Sequence, residues 1–385
     1  MRQHDALVFT LAEYERRLAE LRGRMAERGL DAVIVAGPEN ICYLTGYQTT
    51  GYYYFQCVVV PAEGKPFMVT RLLENTNVVA RTWVEHGRPY QDTEDPIVKL
   101  AATLEEFGLA NRRLGYERHC YFFRATEQEA LFAARPEATF VDASGLVEAG
   151  RLVKSEEEIA LLRRAAVATE AGMRAGVEAA APGVSENVIA AAIHDAMFRA
   201  GGEYPACSPF VASGPRSAIG HATWEGRIVQ RNEPVFLEIG GCVQRYHTAM
   251  MRTVYLGEVT DQMREAERLV VEAVEACMAA MKPGAPAGEI DAVARGILGR
   301  NTFGARQTTR TGYSIGVAFT PDWGEGQILS LQDGEPTPLE AHMVFHLIPW
   351  IQVPGQAGLG ISETVRVTPD GGESLFSFDR RLFVK

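Results

Sequence analysis

Apolar residues recur at three- and four-residue intervals from Leu11 to Arg28, the spacing of a helix with one buried face. That run feeds Asp31–Gly37, DAVIVAG, an unbroken apolar stretch that predicts a buried strand. Cys57–Thr70, CVVVPAEGKPFMVT, sets two β-rich runs around an Ala-Glu-Gly-Lys turn and predicts a hairpin. Leu114–Glu117 and Phe140–Asp142 are shorter strand candidates. Helix and strand patterns thus alternate through residues 1–150, the habit of a small α/β domain. A boundary falls near Gly150–Lys154. Beyond it Ser155 is followed by Glu158, a pair that can exchange hydrogen bonds around a helix N-terminus, so a long helix is expected to begin there.

The remainder, residues 151–385, carries an internal repeat. Glu170–Ile193 ends one helix at Pro182-Gly183 and starts another that places Ile189 seven residues after the proline; Glu272–Ala294 does the same with Pro283-Gly284 and Ile290. An apolar strand follows each copy, EPVFLEI in the first and HMVFHLI in the second, and each continues into another, MRTVYLG and SETVRVT. Two helix-pair-then-strand halves predict a pseudo-twofold domain with its ligand between the halves. This places Glu238 and His346 on related strands, both facing the expected cleft. The fold class is therefore α+β, an N-terminal α/β domain followed by a repeated helix–strand domain.

Composition narrows the partners. The chain has 385 residues, enough for more than one domain, and no apolar stretch near the ~20 residues that span a bilayer. Its start, MRQHDALVFTLAEYERRL, is too polar for a secretory signal. Six cysteines are scattered without a CxxC pair, which fits a reducing cytoplasm and gives no zinc-knuckle pattern. A formal net charge of -11 argues against nucleic acid or an anionic membrane as partner and tolerates a small cationic or zwitterionic ligand.

Within VFLEIGGCVQRYHTAMMRT, Val235–Leu237 read as buried strand, and Glu238 is then delivered into apolar surroundings before a break expected at Gly240 and Gly241. An isolated carboxylate there is solvated, paired with a cation such as Arg245, or placed to act. The two glycines leave room for close approach of a ligand. His221 follows the Ser-Gly-Pro-rich ASGPRSAIG at a loop-to-strand entry, and imidazole titrates near neutral pH. His247 and His346 are either ligands or satisfied core histidines. PDWGEG offers Trp323 to cover a flat cationic ring, or is a surface turn. The aromatic run Tyr52–Phe55 is strand packing or reaches toward a partner subunit. Arg252 and Glu363 read as a buried structural pair.

The small α/β domain, LVKSEEEI, the two PG-broken helix pairs and the paired strands together resemble the pita-bread superfamily of creatinase, prolidase and aminopeptidase P, over essentially the whole chain. The resemblance implies a creatinase-like N-terminal domain and a pita-bread catalytic domain. In the peptidase branch five ligands, two Asp, one His and two Glu, hold two metal ions. The matching positions here are Glu238, Ala249, Tyr313, Ile348 and Ser362, and only the first is a conventional ligand, so no metal or other cofactor is expected. Creatinase works without metal, and its catalytic histidine matches His221. Its guanidinium-binding glutamates, however, correspond to Met251 and Ile348, and its two carboxylate-holding arginines to Tyr54 and Gly324. EIGGCVQRYHTAMMRTVYLG, RTGYSIGVAFTPDWGE, HATWE, GGEYPA and RRLFVK are most similar to the metal-independent ectoine hydrolase branch, including the same losses at the metal positions. The chain departs from that branch at Thr248-Ala249 and in the loop upstream of Gln56.

That likeness implies hydrolysis of a C–N bond in a cyclic amidine, with Glu238 and His221 catalytic and Tyr54, His247, Tyr313, Trp323, Glu325 and His346 binding substrate. It also implies a cytoplasmic homodimer. The alternatives are a creatinase-like amidinohydrolase, a protein like Xaa-Pro dipeptidase with another substrate, and a non-catalytic small-molecule binder on the same fold.

Overall fold

The structure, a computed structural model, describes residues 7–305, 307, 309–355 and 357–385, and divides after Arg151 into two units. The first unit opens with α1 (Leu11–Glu27), where the Thr10 hydroxyl accepts from the Glu13 N–H and Tyr14, Leu18, Leu21 and Met25 form the buried face. Strands β1 (Ala32–Val35), β2 (Cys57–Pro61), β3 (Phe67–Val69), β4 (His86–Gly87), β5 (Arg113–Tyr116) and β6 (Thr139–Asp142) form one sheet in the order β4-β3-β2-β1-β5-β6. The expected hairpin is the antiparallel β2–β3 pair, and β1, β5 and β6 run parallel. Helices α2 (Pro38–Thr45), α3 (Asn75–Arg81), α4 (Pro96–Glu106), α5 (Ala125–Ala134) and α6 (Glu148–Arg151) complete the unit. The run Tyr52–Phe55 is not strand. It lies in and just after a turn, where Tyr52 packs edge-on against Phe122 and Phe55 is buried, while Tyr53 and Tyr54 are exposed.

The second unit begins with α7 (Glu156–Ala179), opened by the reciprocal Ser155–Glu158 capping hydrogen bonds. Helix α8 (Glu186–Arg199) follows, then β7 (Phe210–Ser213), β8 (Glu233–Val243) and β9 (Tyr246–Leu256). The second half repeats the plan with α9 (Asp261–Ala280), α10 (Ala287–Leu298), β10 (Gly312–Ser314), β11 (Ser330–Leu331), β12 (Val344–Leu347), β13 (Trp350–Val353), β14 (Ala357–Gly360), β15 (Glu363–Thr368), β16 (Gly371–Ser374) and β17 (Phe383–Val384). Both helix breaks turn at a left-handed glycine, Gly183 at φ 86° and Gly284 at φ 90°, where a side chain would be strained. One sheet runs β17-β9-β8-β7 and the other β11-β10-β12-β15-β16. Helices α9 and α10 bury Leu269, Val270, Val274, Ile290 and Leu298 with Phe345, Val365 and Val367 of the second sheet. Each such side chain contributes roughly 1.5–3 kcal/mol. The membrane expectation has a structural counterpart: no helix among the described residues is long and apolar enough to cross a bilayer.

Strand β8 does not break at its glycines. It pairs with β9 residue by residue from Glu233 opposite Leu256 to Val243 opposite Tyr246. The space the glycines leave is filled by protein: a Cβ on Gly240 would lie 2.6 Å from Trp323 Cε3, and one on Gly241 would lie 2.6 Å from the Ala165 carbonyl. Arg252 and Glu363 form a buried ion pair at 2.6 Å, and Arg252 also donates to the Met251 and Ser362 carbonyls, tying β9 to β15.

Candidate active site

A cavity of about 640 Å³ opens in the second unit, floored by Phe236, Glu238 and Met251 and walled by Phe210, His221, Tyr313, Trp323 and Ile348. Glu238 sits mid-strand, opposite Phe210 on β7 and Met251 on β9. Period-two alternation puts Phe236 and Glu238 on the same face of β8. The Glu238 side chain is 7% exposed, and no described residue hydrogen-bonds or ion-pairs with its carboxylate. Arg245 is not its partner; that guanidinium stacks on Tyr204 at 3.9 Å and donates to the Tyr204 carbonyl. Burial, with the charge of Asp322 added, pushes the Glu238 carboxyl up to about 8.

His221 lies in a turn rather than at a strand entry, at φ 59°, a left-handed conformation uncommon for a residue with a Cβ. Its ring stacks on Phe210, with centroids 5.4 Å apart, and the Phe210 ring also meets Trp323 at 5.4 Å. The loop carrying it is pinned by Arg216, which pairs with the buried Glu186 of α8 at 2.6 Å and donates to the Thr223 carbonyl. Phe210 thus connects Glu238, its strand neighbour, with His221 and Trp323.

Trp323 is held from behind. Lys154 and Glu325 form a buried ion pair at 2.8 Å, joined by the Ser314 hydroxyl, and the Glu325 N–H donates to the Ser314 carbonyl. This fixes the segment in which Asp322 accepts from the Gly324 N–H. The indole, 2% exposed, is no surface turn; its N–H donates to the Tyr313 hydroxyl at 2.9 Å. Tyr313 Oη lies 2.8 Å from His346 Nδ1, and His346 Nε2 lies 2.7 Å from Ser362 Oγ. The indole donates to the Tyr313 oxygen, which leaves the phenol O–H free to donate a hydrogen bond to His346 Nδ1. His346 is then neutral with its hydrogen on Nε2, in keeping with a burial-lowered pKa of about 3.

Of the residues singled out from sequence, the structure brings Glu238, His221, Tyr313 and Trp323 to one cavity. His346 stands one hydrogen bond behind it, with Ile348 rather than His346 on the wall. His247 does not join them: it is fully buried, Nε2 accepting from the Ala206 N–H and Nδ1 bonded to the Arg245 carbonyl, both at 2.9 Å. The satisfied-core alternative describes both histidines. Glu325 is likewise committed to Lys154. Tyr54 belongs to the first unit, where the Arg71 guanidinium lies 4.4 Å above its ring. Sequence reasoning passed over Asp322 and Arg310 as individual site residues, although both lie inside the segment RTGYSIGVAFTPDWGE.

The pattern of metallopeptidase family M24 matches residues 160–369, and that of the creatinase/prolidase N-terminal domain matches residues 17–153. The chain belongs to family M24. It is 33% identical to the ectoine hydrolase of Halomonas elongata, across 99% of each chain, and 34% identical to an uncharacterized hydrolase/peptidase of Sinorhizobium fredii, across 98% of this chain and 99% of that one. Among solved structures it resembles a dipeptidase of Mycobacterium ulcerans (TM-score 0.81, 27% identity, 98% and 99% covered). It also resembles a dipeptidase of Pyrococcus horikoshii (TM-score 0.82, 25% identity, 96% and 100% covered). The pita-bread architecture and the membership of a hydrolase family are thereby established.

A metallopeptidase family raises the question of metal. Of the five positions matched to its ligands, Glu238, Tyr313 and Ile348 line the cavity, Ser362 joins Tyr313 through His346, and Ala249 lies opposite Gly240 on the neighbouring strand. Alanine and isoleucine have no donor atoms, and the Tyr313 and Ser362 hydroxyls are engaged with His346. Among the described residues no three His, Cys, Asp or Glu side chains converge to hold an ion. The donor set does not fit a two-metal centre.

Proposed function

We propose that this protein is a metal-independent hydrolase that opens a cyclic amidine, with ectoine as its substrate. One observation carries the reading: Glu238 stands buried in a largely apolar cavity with no cation paired to its carboxylate among the described residues, beside a second carboxylate, Asp322. A cationic ring entering there supplies the missing positive charge and lowers the Glu238 pKa, so that binding itself ionises the group. Phe210 and Trp323 give the cavity flat aromatic surface suited to a planar cation. Likeness to the Halomonas enzyme along the whole chain supports the same choice.

The reaction is addition of water to the amidine carbon followed by cleavage of one of its two C–N bonds, giving an acetamide and an amine. For ectoine the product is N-acetyl-diaminobutyrate. Glu238, once ionised, attacks the amidine carbon or removes a proton from the attacking water. His221, at the cavity mouth on a pinned loop, carries the proton to the departing nitrogen. The hydrogen-bond chain through Tyr313 and His346 keeps the indole wall in place and adds no charge to the cavity. A peptidase role is disfavoured because the two metal ions of that chemistry would lack most of their ligands.

The test is ectoine turnover by the metal-free protein. Glu238→Gln keeps the shape and removes charge and basicity, so the rate is expected to fall at least ~100-fold, as on losing a general base. His221→Asn should fall comparably, and the double variant little further, because groups acting as a unit are non-additive. A folded Glu238→Gln protein within a few-fold of the parent refutes the assignment.

A further inference from the structure

The cavity is charged at more than one place. Glu238 and Asp322 supply negative charge, whereas Arg310 is the only lysine or arginine among the described lining residues. The Arg310 guanidinium lies 4.6 Å above the Tyr313 ring, and Nη1 donates to Ser330 Oγ at 3.2 Å. No described carboxylate pairs with it, so a group with five N–H donors uses one of them on protein. A Cβ on Gly326 would fall 2.5–2.8 Å from the guanidinium, so the glycine lets the main chain pass close behind it and fixes its place. Tyr313 lines the same cavity as all three charges; burial above all raises its phenol, Glu238 and Asp322 add to that, and Arg310 opposes it.

We infer that Arg310 binds the carboxylate of the substrate, so that the cavity selects a zwitterion whose cationic ring lies at Glu238 and Asp322 and whose carboxylate lies across the Tyr313 ring on the guanidinium. The inference rests on the amidine reading above and adds the feature that separates ectoine from a bare cyclic amidine. A planar guanidinium offers a carboxylate two parallel N–H donors, and its stacking on Tyr313 limits the rotation that would otherwise be lost on binding.

The experiment compares two probes, ectoine and 2-methyl-1,4,5,6-tetrahydropyrimidine, the same ring without its carboxylate, in steady-state kinetics with the parent, Arg310→Gln and Arg310→Lys. The parent should prefer ectoine in kcat/KM, and Arg310→Gln should shrink that preference by ~10-fold or more, chiefly through KM for ectoine, the scale of a lost hydrogen bond between charged groups. Arg310→Lys should restore part of the preference by keeping the charge without the fork. A purely structural role would lower both probes together and leave their ratio unchanged, and that result overturns the inference while leaving the amidine reading intact. A parent protein that neither binds nor opens ectoine overturns the amidine reading itself, and this inference with it, before any variant is compared.

Discussion

Glu238→Gln should make the protein more stable, by an amount that depends on pH in a defined way. The carboxyl is raised from 4.5 to about 8, mainly by burial. Ionising it inside the fold therefore costs about 1.4 kcal/mol for each pH unit of that interval, close to 5 kcal/mol in full. Below pH 4.5 the group is protonated in both the folded and the unfolded chain, and nothing is lost. Between pH 4.5 and 8 the unfolded chain releases the proton while the fold retains it, so stability falls as pH rises, by about 3 kcal/mol at pH 7. Above pH 8 both states are ionised and the loss is complete. Glutamine titrates in neither state, so the variant's advantage should be near zero at pH 4.5, grow steadily and level off above pH 8. Urea denaturation of both proteins at successive pH values, without ligand, reads the difference directly. An advantage that stays flat within about 0.5 kcal/mol from pH 5 to 9, or shrinks as pH rises, refutes the claim that this carboxylate is buried without a partner.

Three further outcomes are expected. The kcat/KM for ectoine should rise with pH and level off near 8 as Glu238 of the free protein ionises, and Asp322→Asn, by removing the neighbouring charge, should move that limb to lower pH; an unmoved limb argues against their coupling. Tyr313→Phe leaves the Trp323 N–H and His346 Nδ1 without their partner and should cost about 2–4 kcal/mol in chemical denaturation, against a null result if the chain of hydrogen bonds is not formed. Exhaustive dialysis against a chelator should leave ectoine turnover unchanged, whereas loss of activity that added manganese or zinc restores would contradict the metal-free reading.

What could be read from sequence was local or repeated. The start of α7 was legible because Ser155 and Glu158 satisfy each other's backbone within one turn. The two helix pairs were legible because each Pro-Gly stops a helix regardless of what packs on it. Glu238 stood out as a charge in an apolar run. What escaped depended on residues far apart in the chain. Gly240 and Gly241 announce close approach, but only the fold shows that Trp323 and Ala165 are what approach. His346 and His247 have the composition of ligands, yet Tyr313, Ser362 and two backbone groups already satisfy them. Asp322 and Arg310 carried no periodic or capping signal; their importance comes from lining the same cavity as Glu238.

The chain of hydrogen bonds from Trp323 through Tyr313 and His346 to Ser362 also bears on the history open to this scaffold. Two of its links, Tyr313 and Ser362, stand at positions where peptidase relatives carry metal ligands, and each is now tied to a neighbour that would be orphaned by its replacement. A histidine at position 313 would take the hydroxyl from both Trp323 and His346. A glutamate at position 362 would bring a charge against a fully buried imidazole. A carboxylate at position 348 would line the cavity already occupied by Glu238 and raise further the cost of ionising it. Each such single substitution would disturb a neighbour, and none of them alone assembles enough donors to hold an ion. Building a two-metal centre into this cavity would therefore require several substitutions at once.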